Sequence, residues 1–167
     1  VNLNNSNSQF YYYGINLLND SNSIDNYIEI NHNTKHTISN VNQKNILADK
    51  STGIFYSKST IQNNSYNSEA HQNNNNLILS ENALVHSNPQ LMIYNDDVQC
   101  SHGSTTGKID NDALFYLRSR GINLNEAKQI LLNAFLNDIV DNVKNNDVNL
   151  EIKNNINSWV NMYVNKK

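Results

Sequence analysis

The sequence predicts a mainly β chain that closes in a small α-helical region. Three observations carry this prediction. From Tyr27 onward, short apolar runs recur at roughly eight-residue intervals, each too short for a helix. Beyond Asp110 the apolar residues change to helical spacing. Between the two lies a junction, PQLMIYNDDVQCSHGSTTGKIDNDALFYLRSRG at residues 89–121, which holds the only Pro, the only Cys and three of the five Gly. The 167-residue chain therefore divides into a β part, residues 1–109, and a helical part, residues 110–167.

Taken in order, residues 1–9 are polar and read as disordered. Phe10-Tyr11-Tyr12-Tyr13 is a β-prone aromatic run stopped by Gly14, with a continuation over Ile15 to Leu18. The recurring runs centre on Ile28/Ile30, His36/Ile38, Ile46/Leu47, Ile54/Phe55, Thr60/Ile61, Leu77/Leu79, Leu84/Val85, Leu91/Ile93 and Val98. The gap over residues 62–76, with its run Asn73, Asn74, Asn75 and Asn76, reads as an Asn-rich loop. None of these runs is joined by the Asn-Gly or Asp-Gly of tight hairpins. Three such strands per coil would make a parallel β-solenoid, whose rungs bury a continuous interior by stacking. An antiparallel sandwich fits the spacing equally.

Three helices follow. Asp110 caps the first, residues 111–120, which Gly121 ends. Asn123 with Glu126 forms a capping box for the second, which carries Ala127, Ile130, Leu131, Ala134, Phe135, Ile139 and Val143 at helical spacing and ends at Asn145-Asn146-Asp147. The third starts at about Leu150, with Ile152, Ile156, Trp159, Val160, Tyr163 and Val164 on one stripe. Three short helices cannot bury all of these faces among themselves, so some of that surface should meet the β part or a partner.

Composition excludes several classes. A net charge of −3 gives no basic field for nucleic acid. No apolar run approaches the roughly 18–20 residues that span a bilayer. One Cys excludes an internal disulfide framework and an all-Cys metal site within one chain. The hydrophobic fraction of 38% is low because Asn is so abundant, and the Asn, Lys, Ile and Tyr enrichment suggests AT-biased codons. No signal or transit peptide is visible at Val1, and the chain reads as part of a longer protein whose targeting segment lies elsewhere.

The junction is the specific stretch. Residues 90–94 read as a strand led by Pro89, and Asn95-Asp96-Asp97 is turn chemistry. Val98, Cys100 and His102 then alternate along a strand, which places a thiol and an imidazole on one face about 6–7 Å apart at the backbone. That is half of a soft metal site and needs further ligands from elsewhere. The word PQLMIYNDDVQCSHGSTTGKIDNDALFYLRSRGI, extended backward through Asn76-Leu77-Ile78-Leu79-Ser80 and forward from Glu126-Ala127 to Phe135, resembles the signature of the SufB/SufD family of iron–sulfur cluster assembly scaffolds, closer to its SufD branch. Met92, Asn88 and Ser104 stand where that pattern usually has an acidic residue, Lys and Ala, and Tyr56-Ser57-Lys58 lacks its usual Gly.

The resemblance implies a right-handed parallel β-helix followed by a small C-terminal helical domain, so that residues 1–109 would be the last coils, with Asn-rich loops. It implies a non-catalytic scaffold subunit with a SufC-type ABC ATPase and a SufB-type scaffold as partners. It implies a transient iron–sulfur cluster at a subunit interface near Cys100 and His102, with His102 the stronger ligand candidate. Phe115, Tyr116, Arg118, Arg120 and Gly121 become candidates for the partner surface, and residues 110–135 for SufC docking. The compartment implied is a plastid stroma of the apicoplast type, or a bacterial cytoplasm. The alternatives are a SufB-branch paralogue and a metal-free β-solenoid binding module.

Other readings are weaker. Cys100 activated by His102 would be a hydrolase nucleophile, but two residues on one strand are poorly placed for proton transfer. The loop from Gly103 to Gly107 lacks a phosphate-loop ending, since Gly107-Lys108 is followed by Ile109, so this chain should bind no ATP. Asp96-Asp97 reads as a turn, His32, His36, His71 and His86 are assigned no role, and Trp159 with Tyr163 reads as core.

Overall fold

The computed structural model describes residues 1–166. Eight strands precede three helices: β1 (Asn2–Leu3), β2 (Gln9–Leu18), β3 (Ser23–His32), β4 (Ile38–Leu47), β5 (Thr52–Ile61), β6 (Ser68–Ile78), β7 (Leu84–Ile93), β8 (Val98–Gly107), α1 (Asn111–Ser119), α2 (Leu124–Val140) and α3 (Asn146–Asn165). The strands form two sheets, ordered β1-β3-β5-β7 and β2-β4-β6-β8. Every pairing is parallel. This is a β-solenoid, and the antiparallel alternative falls.

One turn of the solenoid has two long strands, where the sequence suggested three short ones. Gln9 lies opposite Ile38 and Thr52 opposite Leu84, so a turn takes 29 to 32 residues. The apolar runs marked the ends of strands whose middles are polar. Ile54/Phe55 and Thr60/Ile61 both belong to β5, and Leu84/Val85 and Leu91/Ile93 both belong to β7.

The polar middles face inward. Alternate residues of a strand point to opposite sides, and on β4 the buried set is Ser39, Val41, Gln43 and Asn45. Apolar inward residues form two small cores, Leu3, Ile30, Val41 and Phe55 in one, Leu18, Leu47 and Ala83 in the other. Between them runs an amide ladder. Asn16 Nδ2 donates to Asn45 Oδ1 at 2.9 Å, Asn45 Nδ2 to Asn76 Oδ1 at 2.6 Å, and Asn76 Nδ2 to the Thr105 carbonyl at 3.0 Å. In a parallel stack, like residues fall in register, and an amide is both donor and acceptor along the stacking direction. Residues 73–76 are therefore the middle of β6, with Asn74 and Asn76 buried, and not a loop.

Two further expectations change. Residues 1–9 are ordered: Asn2 and Leu3 pair with Asn31 and His32, and the Asn31 and Asn33 side chains donate to those of Asn2 and Asn4. Gly14 does not stop β2. It sits in the interior, where an added Cβ would lie 2.1 Å from Gln43 Oε1 and 2.6 Å from the Tyr12 hydroxyl. The turns repeat in the same way as the strands. Asp20 and Asp49 at one corner, and Asn7, His36 and Asn67 at another, hold positive φ between 52° and 65°. Asn, Asp and His tolerate that region best after Gly.

The helices behave as capped. Asp110 accepts from the backbone N–H of Asp112 and Ala113, Asn123 from that of Glu126, and Gly121 has φ 88°. Asn145 caps α3, accepting from Asp147 and Val148, so α2 ends at Val140 and α3 begins before Leu150. Leu132, Leu136, Val140, Ile156 and Val160 pack onto Ile46 and Leu77 of the outer face of the second sheet. Lys44 of β4 pins α2 to that face, donating to the Phe135 carbonyl and pairing with Asp138. Lys166 reaches both corner aspartates, Asp20 at 2.7 Å and Asp49 at 2.8 Å.

Candidate functional site

The site lies where the solenoid ends. β7 and β8 are the last strands of the two sheets, and each is paired on one side only. On β8 the inward row continues from β6: Cys100 lies opposite Ala70, His102 opposite Gln72 and Ser104 opposite Asn74. Because no further turn covers this row, Cys100 is half-buried and His102 and Ser104 are exposed. The strand pattern thus brings Cys100 and His102 to one face.

The opposite strand orients the histidine. His102 Nδ1 lies 3.0 Å from the Pro89 carbonyl of β7. A carbonyl only accepts, so Nδ1 is the donor, which in the neutral ring makes Nε2 the acceptor. A ring held this way is set to ligate through Nε2. Pro89 sits in the interior of β7 because β7 is an edge strand, where its missing N–H breaks no ladder bond. Ser104 makes a second bridge between the edges, its hydroxyl 2.8 Å from that of Ser87.

Beneath this row is a polar layer that the sequence reading passed over. Gln72 Nε2 donates to Ser59 Oγ at 2.7 Å and to the Gln90 carbonyl at 3.0 Å. Gln72 Oε1 and Ser57 Oγ are buried and have no partner among the described residues. Ser57 lies opposite Pro89 and Gln72 opposite His102. The only trace of this in the sequence was a Pro thirteen residues before the His. Its carbonyl's role depends on a contact between two sheets.

Cys100 and His102 are two potential donors and do not by themselves make a metal site. Among the described residues no group of three or more His, Cys, Asp or Glu is placed to hold a metal ion. Burial pushes the Cys100 thiol up from its usual range, with a smaller opposing effect from a hydrogen bond with the Ala70 backbone. The thiol is therefore protonated at neutral pH, and a metal or a neighbouring cation would favour the thiolate. A protonated thiol is a weak nucleophile, so the raised value disfavours a Cys100 nucleophile at neutral pH. Asp96 and Asp97 form a turn, with the Asp97 N–H bonded to the Asn95 side chain.

The other candidates form a separate surface. α1 has no buried residue, Phe115 is 73% exposed and Tyr116 57% exposed. The Arg120 guanidinium lies 5.2 Å from the Tyr116 ring centroid. Arg118 stands in the last turn, where it complements the helix dipole, and Gly121 supplies the positive φ that ends the helix.

A family model described as "SUF system FeS cluster assembly, SufBD core domain" matches residues 1–135. The iron–sulfur cluster assembly protein SufD of Escherichia coli K12 is 38% identical over 112 residues, 67% of this chain and 26% of that protein. A SufBD family protein of Synechocystis sp. is 37% identical over 114 residues, 68% of this chain and 25% of that protein. A protein of Arabidopsis thaliana named as chloroplastic is 38% identical over 65 residues, 39% of this chain and 14% of that protein. The chain spans about a quarter of the length of the two bacterial relatives.

Proposed function

This chain belongs to the SufBD core family of the SUF system, on its SufD-like side, and from that premise we propose that it is the end-coil and helical part of a non-catalytic scaffold subunit for iron–sulfur cluster assembly. The observation that carries the reading is the His102 ring, held by the Pro89 carbonyl with Nε2 free, beside Cys100 on an uncovered coil. Iron and sulfide are the cargo here. His102 Nε2 and the Cys100 sulfur supply two donors, and a partner facing the coil supplies the rest. A transient cluster then sits at the subunit interface and leaves when the interface opens.

The edge itself supports a partner of the same architecture. β7 reads LVHSNPQLMI and β8 reads VQCSHGSTTG, without one Lys, Arg, Asp or Glu. Free edges are usually blunted by charge, because unpaired N–H and C=O groups recruit foreign strands. Two long uncharged edges side by side suit a second solenoid end, which we assign to a SufB-type subunit. The exposed Phe115 and Tyr116, with Arg118 and Arg120, are assigned to a SufC-type ABC ATPase. That partner binds the nucleotide, since this chain has no phosphate-loop sequence. The residue carrying most of the site is His102, with Cys100 as a second ligand once deprotonated. The compartment we favour is a plastid stroma, supported by the chloroplastic relative and the Asn-rich composition.

The test is a pull-down of this chain, and of the longer protein containing it, with purified SufC-type and SufB-type proteins at several salt concentrations. We expect the helical surface to retain the ATPase, and a Phe115→Ala, Tyr116→Ala double change to release it. In the intact complex His102→Ala should abolish cluster build-up read by its visible absorption. Normal cluster build-up with that change would remove His102 from the mechanism, and failure to retain either partner would leave a metal-free binding module.

A further inference from the structure

We propose that Gln72 is a positioning residue for His102: its side-chain amide holds β7 across from β8, so that the Pro89 carbonyl stays on the His102 Nδ1–H. The proposal rests on the reading of His102 as a cluster ligand and adds to it the residue that sets the ligand's ring. Gln72 of β6 lies opposite His102 and is 2% exposed. Its Nε2 donates to two strands of the other sheet, to Ser59 Oγ of β5 at 2.7 Å and to the Gln90 carbonyl of β7 at 3.0 Å. Gln90 directly follows Pro89. One amide thus ties down the strand segment whose neighbouring carbonyl meets His102.

Two observations set this amide apart from interior filling. The first is how the two sheets are held together. The ladder with β5 places β7 within its own sheet and leaves its distance from β8 open. In the lower coils apolar side chains between the sheets set that distance, as Val41 of β4 does with Phe55 of β5. In the polar layer beneath His102 the buried residues are Ser57, Ser59, Gln72 and Asn74, and none belongs to an apolar core. Hydrogen bonds from Gln72, His102 and Ser104 to β7 carry the spacing instead, and Gln72 is the buried member of the three. The second observation is the residue's cost. Tyr12, Val41, Gln72 and His102 form one inward column through successive coils. Val41 fills its place with an apolar side chain, whereas Gln72 leaves Oε1 buried without a partner among the described residues. An unpaired buried acceptor is destabilising, and such breaks with local stability are expected where a site requires them. What this glutamine contributes is the hold of its N–H groups on β5 and β7.

The test reads the His102 tautomer by nuclear magnetic resonance in protein labelled with nitrogen-15 histidine, at about pH 8, where an imidazole of ordinary pKa is neutral. The signal that His102→Ala removes identifies the ring. We expect Nδ1 to carry the proton in the wild type. In Gln72→Leu or Gln72→Met, whichever keeps the wild-type circular dichroism, the ring should lose its Pro89 partner and a population protonated at Nε2 should appear. If neither folds, Ser59→Ala, which unties the same amide from β5, takes their place. Gln43→Leu is the control. Gln43 is 1% exposed and its side chain bonds Tyr12 and Asn45, away from β7 and β8, so its loss should leave the tautomer unchanged. In the intact complex Gln72→Leu should cut cluster build-up about ten-fold, the lower end of the loss on removing a partner behind a metal ligand. The proposal is overturned by a wild-type tautomer in every folded Gln72 or Ser59 variant, by the same tautomer change in Gln43→Leu, or by wild-type cluster build-up in a Gln72 variant whose tautomer has moved. Normal build-up in His102→Ala would instead remove the ligand reading, while the tautomer still decides whether Gln72 sets the ring.

Discussion

Replacing Asn45 with alanine removes the central rung of the interior amide ladder. Asn45 is 1% exposed. Its Oδ1 accepts from Asn16 Nδ2 at 2.9 Å and from Gln43 Nε2 at 2.8 Å, and its Nδ2 donates to Asn76 Oδ1 at 2.6 Å. Asn16 Nδ2 keeps a second acceptor in Asn26. The change therefore strands two buried groups, Gln43 Nε2 and Asn76 Oδ1. Each costs about 1–3 kcal/mol when left without a partner. Allowing for relaxation around the small void, the loss should be about 3–4 kcal/mol, a large share of the roughly 5–15 kcal/mol that holds a domain together. Asn42→Ala on the outward row is the control. Asn42 bonds only its same-face neighbour Asn40, and its loss should stay within about 0.5 kcal/mol. Urea unfolding followed by far-ultraviolet circular dichroism measures both. If Asn45→Ala loses no more stability than Asn42→Ala, the ladder is a filler and the argument that it organises the interior is wrong.

Three further outcomes follow from other residues. His32 is buried between the Thr37 and Ser39 hydroxyls at 2.7 and 2.8 Å, and burial pushes its pKa down from 6.5 to about 4. The unfolded chain then binds the extra proton first, so stability should fall as pH drops from 6.5 to about 4, by up to about 3 kcal/mol. In His32→Gln the pH slope over that window should shrink, and an unchanged slope would assign the acid sensitivity elsewhere. Gly14→Ala should destabilise by about 1–3 kcal/mol in the same urea assay, because the new methyl meets Gln43 and Tyr12, and a neutral result would show that Tyr12 swings clear at no cost. Cys100 should alkylate slowly with iodoacetamide at pH 7 and faster as pH rises past the usual thiol range, since burial raises its pKa; fast reaction at pH 7 would restore the nucleophile reading.

What was legible in the sequence was local. Asp110, Asn123 and Gly121 announce helix ends because a cap satisfies backbone groups within three residues of itself. Cys100 and His102 fall on one face because strand alternation has no other outcome. What was not legible depends on registers of 29 to 32 residues. Asn74 and Asn76 have turn-forming side chains, and nothing within a window around them says that Asn45 lies one coil below. Their strand is made favourable by the stack, a tertiary effect that overrides local propensity. The same blindness split β5 and β7 into four runs, since Ser57, Ser59 and Asn88 look like loop residues until the interior they face, or the edge they border, is known. The Pro89 carbonyl under His102 belongs to this class too, being a contact between sheets.

The ladder also explains why the site is at the end. In the lower coils the inward asparagines of the second sheet find partners in the coil above or below, Asn16 with Asn45 and Asn45 with Asn76. At β8 the sequence of the inward row changes to Cys100, His102 and Ser104, and the stacking partner above is missing. Continuing with asparagine there would leave amides exposed and chemically idle. Thiol and imidazole instead present lone pairs, which a metal can use and a further coil cannot. The unpartnered Gln72 Oε1 and Ser57 Oγ lie one layer down, where the ladder's own logic first fails. An end coil built on that pattern is held on its lower side through the ladder and has unpaired strand edges on its upper side. Under the proposed function, a partner that closes the upper side would complete both the sheet edges and the donor set in one step. Cluster build-up and subunit pairing should therefore be lost together in a variant that blocks the edge, and separately in His102→Ala, which leaves the edge intact.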